Sequence, residues 1–210
     1  MIIDVWSDVV FPWCFIGKRR LEKALAQCDF KDQVKVHHRA FQLQPDIQEV
    51  VKTSDYLAEK YRVSPLEVSQ MQAKVCSIAD GEGLCYDLSN TLSGNTFDAH
   101  RLLLWSAEIH KQDELLEAMY SAYFEKSKPL FSHADLVSVA LSVGIDADVA
   151  DDVLQTNRYA EEVKADLELA HRLGCTGVPF FVIDMKFGIS GAQPLEIFIQ
   201  TLEQAWKEGQ

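Results

Sequence analysis

The sequence predicts an α/β protein whose β-rich core is interrupted by a long all-helical insertion. Three observations carry this. A strand-helix-strand order fills the first forty or so residues. From 53 to 173 there is almost no strand pattern. After Gly177 short apolar β-type runs return. A chain of 210 residues with 48 % hydrophobic content can hold one large core or a core with an insertion. The pattern divides it into a first core segment at 1–48, an insertion at 49–160 and a second core segment at 161–210.

Each element has a local reason. Ile2-Ile3-Asp4-Val5-Trp6 is an apolar strand signal, and Phe11-Pro12-Trp13-Cys14 is a turn that opens a helix over about 12–27. Val34 and Val36 begin the alternation of a half-buried strand over 33–41. Two strands joined through a helix imply a parallel pair with a right-handed crossover. In the insertion, Ser64-Pro65-Leu66-Glu67 has the form of a capping box with proline at the first helical position. Phe97, Leu102, Leu104, Trp105 and Ile109 keep helical spacing within 95–110, and Leu115, Met119 and Tyr123 continue it in a further helix. Ser132-His133-Ala134-Asp135 caps another helix that ends near Gly144. A long amphipathic helix over 157–173 stops at Gly174. Strands over 180–184 and 186–190 flank a short Asp-Met turn, and Pro194 starts a final helix to about Lys207.

Composition excludes several function classes. A net charge of −12 and a pI near 4.9 repel phosphate backbones, so nucleic acid is not an expected partner. No run of 18 or more apolar residues is present, so no membrane partner is expected. Met1 runs straight into a strand, which favours the cytoplasm. The five cysteines (Cys14, Cys28, Cys76, Cys85 and Cys175) are odd in number and not spaced as a zinc knuckle. His37 and His38 are strand neighbours that point to opposite faces. No metal and no tightly bound cofactor are expected. Monomer and homodimer both stay open.

Three motifs in order carry a resemblance. They are the strand and turn from Asp4 to Gly17, the segment Asn95-Thr96-Phe97-Asp98-Ala99-His100-Arg101-Leu102, and Gly177-Val178-Pro179-Phe180-Phe181-Val182 running on to Ser190-Gly191-Ala192-Gln193-Pro194. On these the chain resembles the DsbA-like oxidoreductases of the FrnE-like branch, which are related to 2-hydroxychromene-2-carboxylate isomerases and kappa-class glutathione transferases. The likeness covers essentially the whole chain. It implies a thioredoxin-like core split by a helical insertion, with thiol–disulfide oxidoreduction as the family activity and a peptide or glutathione as thiol/disulfide substrate.

The resemblance also assigns roles. The family pattern is Cys-Pro-Trp-Cys where this chain has Phe11-Pro12-Trp13-Cys14. The position of the attacking cysteine is therefore Phe11, whose phenyl ring forms neither a thiolate nor a mixed disulfide. Cys14 keeps the resolving position. One reading makes it a working single thiol, acidified by the helix N-terminus. The other makes it a buried small apolar residue under Trp13 and Phe11. Cys175, four residues before Pro179, is a candidate redox partner from across the site.

The resemblance implies a cis Val178–Pro179 bond, with the Val178 backbone presented to an extended substrate. The small-residue loop of Ser190, Gly191 and Gln193 is a candidate carboxylate cradle for glutathione as co-substrate. His100 and Asn95 are candidate cleft residues. Three functions follow: a DsbA-family thiol–disulfide oxidoreductase of weak or altered dithiol activity, a glutathione-dependent transferase or isomerase using an apolar pocket at Phe11 and Trp13, or a redox-inactive peptide or small-molecule binding module.

Overall fold

A computed structural model describes residues 1–209. The chain divides into two compact units, one made of residues 1–43 and 164–210 and the other of residues 44–163. The sequence pattern alone sets these seams at 48/49 and 160/161.

The first unit holds a four-stranded mixed sheet in the order β2-β1-β5-β6. Strand β1 (Ile2–Ser7) pairs in parallel with β2 (Lys35–Ala40), from Ile2 opposite Lys35 to Ser7 opposite Ala40. Helix α1 (Pro12–Leu25) makes the crossover. On its other edge β1 pairs antiparallel with β5 (Phe180–Ile183), which turns back into β6 (Phe187–Ser190). The turn residues Asp184 and Met185 both take positive φ, 48° and 56°. The Asp184 carboxylate fixes the turn by accepting the Ile2 N–H at 2.7 Å.

Side-chain alternation gives the sheet two different faces. Ile3, Val5, Phe181 and Ile183 share one face with Leu21 and Ala24 of α1. The final helix, α9 in this fold (Leu195–Glu208), adds Phe198, Leu202 and Ala205 to the same cluster. Phe181 and Phe198 meet edge to face at 4.9 Å, and Phe30 stacks on Trp206 at 4.5 Å. Burial of one such ring stabilises by roughly 1.5–3 kcal/mol. Between these faces of β1, Asp4 and Trp6 point the other way. The Trp6 indole N–H donates to the Asp166 carbonyl at 2.9 Å. The Asp166 carboxylate accepts the Ala40 N–H at 3.0 Å and an Arg39 N–H at 3.2 Å.

The second unit contains β3 (Val51–Lys52), α2 (Thr53–Tyr61), α3 (Pro65–Gly81), β4 (Leu92–Ser93), α4 (Phe97–Trp105), α5 (Gln112–Tyr120), α6 (His133–Ser142) and α7 (Ala147–Gln155). Both capping boxes form: the Ser64 and Ser132 hydroxyls accept the N–H groups of Glu67 and Asp135, and those carboxylates accept the serine N–H groups in return. The unit is not wholly helical. β3 and β4 pair antiparallel over two residues each, too short a ladder to print a period of two on the sequence. Helix α5 passes into a π-helical turn at Ser121–Glu125. Helix α8 (Ala160–Arg172) starts later than the expected residue 157, because Tyr159 before it sits at φ 63°. Gly174 at φ 75° ends it as expected. Among the described residues no helix is long and apolar enough to cross a membrane.

Candidate functional site

The turn after β1 is built almost wholly by backbone. Asp8 carbonyl accepts the Phe11 N–H at 3.2 Å, and Phe11 carbonyl accepts the Cys14 N–H at 2.9 Å. Pro12 stands at the start of α1, where its missing N–H costs no helical bond. Phe11 occupies the N-cap in extended conformation (φ −103°, ψ 116°) and makes no side-chain cap. A phenyl ring has no acceptor to offer there. Phe11, Pro12 and Trp13 are half-buried.

Cys14 is different. It is 1 % exposed, and its Sγ accepts the Asp8 N–H at 3.4 Å. Burial pushes its thiol well above the ordinary range; the Asp8 N–H opposes this, and the negative charges of Asp8 and Cys175 reinforce it. The acidification expected from the helix N-terminus is thus outweighed by desolvation. At neutral pH Cys14 is a thiol.

The second half of the site lies on the first unit's other chain segment. Val178–Pro179 is a cis peptide bond. Pro179 packs on α1 at Gly17: a Cβ there would fall 2.8 Å from Pro179 Cγ and 3.1 Å from the Phe181 ring. Only glycine allows this approach. The Val178 residue is 6 % exposed, yet its backbone N–H and C=O form no hydrogen bond with another described residue. Backbone groups left without a protein partner are uncommon in folded proteins. Pro179 carbonyl, in contrast, accepts the Gly191 N–H at 2.8 Å.

Cys175 is 4 % exposed and donates to the Gly177 carbonyl at 3.3 Å. Burial raises its thiol, and a backbone hydrogen bond with Gly177 opposes part of that rise. All five cysteines are free thiols. Gly177 has open space where a Cβ would stand, so no steric demand explains it.

The model of the DSBA-like thioredoxin domain matches residues 2–203. The chain belongs to that family. A probable DsbA oxidoreductase from Streptomyces coelicolor is 41 % identical, with 99 % of this chain and 91 % of that one covered and a TM-score of 0.96. The uncharacterized protein YwbO of Bacillus subtilis (strain 168) is 24 % identical over 208 residues, 98 % of each chain. A 2-hydroxychromene-2-carboxylate isomerase shares the fold, with a TM-score of 0.71 at 15 % identity over 100 % of this chain and 98 % of that one.

In this DSBA-like domain the loop at 190–193 is closed on itself. Gly191 N–H goes to Pro179 and Gln193 N–H to the Gly191 carbonyl at 2.9 Å. The Gln193 side-chain amide donates to the Ser190 carbonyl at 2.8 Å. Arg20 of α1 clamps the loop by donating to the Ala192 and Gln193 carbonyls, at 2.6 and 3.2 Å. The expected carboxylate cradle therefore lacks two of its N–H groups. They hold the loop against the Val178–Pro179 turn instead.

Asn95 and His100 belong to the second unit. Both ends of the Asn95 amide are engaged there: Oδ1 accepts the Phe97 N–H at 2.8 Å and Nδ2 donates to the Pro45 carbonyl at 2.9 Å. His100 is fully buried inside α4. The neighbouring Arg101 takes a structural part. Its guanidinium donates to the carbonyls of Val153, Leu154, Thr156 and Arg158, closing the end of α7, and to Asp98 at 2.7 Å.

Sequence reasoning missed Asp8, Gly17 and Arg20. The Asp8 N–H holds the Cys14 sulfur, and its carboxylate accepts the Leu43 N–H at 2.8 Å. A small residue three positions after Cys14, in an otherwise bulky helix, was the one local sign of Gly17.

Proposed function

We propose that the protein is a thiol–disulfide oxidoreductase of the DsbA type. It takes an extended, cysteine-bearing substrate along Val178, and its exchange is slow because its turn carries one sulfur. The observation that carries this reading is the unpaired N–H and C=O of Val178 beside Pro179. An added strand satisfies such a pair. Membership of the DSBA-like family and the likeness to a probable DsbA oxidoreductase support the reaction class.

Phe11 denies the turn an internal disulfide, since Cys14 finds no sulfur there. The attacking species in exchange is the thiolate. With Cys14 held protonated by burial, exchange is slow at neutral pH and accelerates as pH rises. Glutathione, a cysteinyl tripeptide, is one candidate substrate for the Val178 turn. The closed 190–193 loop gives no support to a dedicated glutathione transferase site. A cytoplasmic setting belongs to the same proposal, in keeping with the free thiols and acidic surface.

A second reading has its own observation. Cys14 at 1 % exposure also suits a redox-inactive holder of peptides. The two separate in one assay, the reduction of a peptide disulfide by wild type and by Cys14→Ser across pH 7 to 9. The oxidoreductase reading expects a slow wild-type rate that rises with pH and falls about tenfold or more in Cys14→Ser. Equal rates in the two proteins, with peptide binding still lost on altering Val178, establish the holder.

A further inference from the structure

The sheet register brings two cysteines to one end of the first unit. Trp6 stands opposite Phe180. β1 and β5 run antiparallel, so the chain leaving β1 and the chain entering β5 pass the same end of the sheet. The first leads within eight residues to Cys14 and the second comes from Cys175, five residues before Phe180.

Two contacts narrow this further. Cys14 and Gly17 are three residues apart in α1 and share a helix face, and Gly17 is where Pro179 packs. Cys14 Sγ is turned back to the Asp8 N–H at the exit of β1. Cys175 Sγ is turned along its loop to the Gly177 carbonyl, toward Val178 and Pro179. Both side chains are buried, at 1 % and 4 % exposure. The charge of an ionised Cys175 is felt at Cys14, which agrees with their placement. Of the other cysteines, Cys28 lies beyond the far end of α1, and Cys76 and Cys85 lie in the second unit.

We infer that Cys14 and Cys175 are the protein's working dithiol, one sulfur from the turn of α1 and one from the loop before Pro179. The inference rests on the oxidoreductase reading above and supplies the sulfur that Phe11 lacks. One thiol gives up its proton and attacks a substrate disulfide. A new S–S bond joins protein and substrate, and one substrate sulfur leaves and takes up a proton as a thiol. The second protein thiol loses its proton and displaces the remaining substrate sulfur, which leaves as the second thiol. The two protein thiols are oxidised to one disulfide, and the substrate disulfide is reduced to two thiols. Burial of both sulfurs makes the cycle slow and protects the resulting bond.

The test uses full-length wild type, reduced, freed of reductant and equilibrated with glutathione disulfide at mildly alkaline pH. The protein is then denatured, alkylated and mapped by mass spectrometry. The expected result is the loss of two hydrogens from the intact chain and a linked peptide pair containing Cys14 and Cys175. Both residues remaining alkylable, either one linked to a different cysteine, or a stable glutathione adduct on either without the internal bond overturns the inference.

A rate measurement separates this from the parent reading. Cys175→Ala is expected to reduce glutathione disulfide about tenfold more slowly than wild type. If Cys175→Ala keeps the wild-type rate while Cys14→Ser loses it, the pair is wrong and the single-thiol oxidoreductase stands. If wild type has no rate at any pH, the parent reading fails with it.

Discussion

At the scale of single residues, Cys14, through its buried thiol, sets a pH limit on stability. Burial raises its thiol in the folded state, so the native protein keeps a proton that the unfolded chain gives up. Below the unfolded value near pH 8.5 both states hold that proton and folding is unaffected. Above it the unfolded chain ionises first, and stability falls as pH climbs toward the folded value. Urea denaturation of wild type and Cys14→Ala between pH 7 and 10 checks this, with the wild-type midpoint expected to fall faster. Gly17 is the second sensitive residue. Gly17→Ala places a Cβ 2.8 Å from Pro179 Cγ and 3.1 Å from the Phe181 ring. The crowding is expected to cost about 1–3 kcal/mol and to weaken substrate peptide binding beyond that of Gly81→Ala, where a Cβ meets nothing.

At the scale of elements, the local signals were legible and the distant ones were not. The caps at Ser64 and Ser132 need only four residues of sequence and form as read, the second as a full capping box too. The Phe-Pro-Trp-Cys turn and the Val-Pro turn are local too. Arg20 reaches carbonyls 172 and 173 residues away, and no window of sequence reports that. Arg101 closes α7 across 52 to 57 residues, so its motif read as a candidate cleft when its neighbour is a buried clamp. Arg101→Leu is expected to leave the last carbonyls of α7 without donors and to lower stability by about 3 kcal/mol. Calorimetry and circular dichroism check it, a midpoint like wild type being the contrary result. The β3–β4 ladder, two residues per strand, carries no period at all.

At the scale of the whole molecule, the split core was legible because it rests on the order of patterns. Parallel and antiparallel partners of β1 come from opposite ends of the chain. The same arrangement brings together the residues of the proposed site, with α1 supplying Cys14 and Gly17 and the returning segment supplying Cys175, Val178 and Pro179. The reaction was less legible than the fold. As proposed, it turns on how deeply one sulfur is buried and on which backbone groups stay unpaired, and neither is a property of local sequence. The central claim is that this scaffold performs disulfide exchange slowly because Phe11 removes one sulfur from an otherwise intact site. The measurement that tests it most directly is the rate of disulfide reduction by wild type and Phe11→Cys, side by side at one pH. A slow wild type and a Phe11→Cys protein faster by about a hundredfold or more, as an accessible and acidified thiol at a helix N-terminus allows, is the predicted result. A wild type as fast as the variant, or a folded Phe11→Cys protein that remains inert, contradicts it.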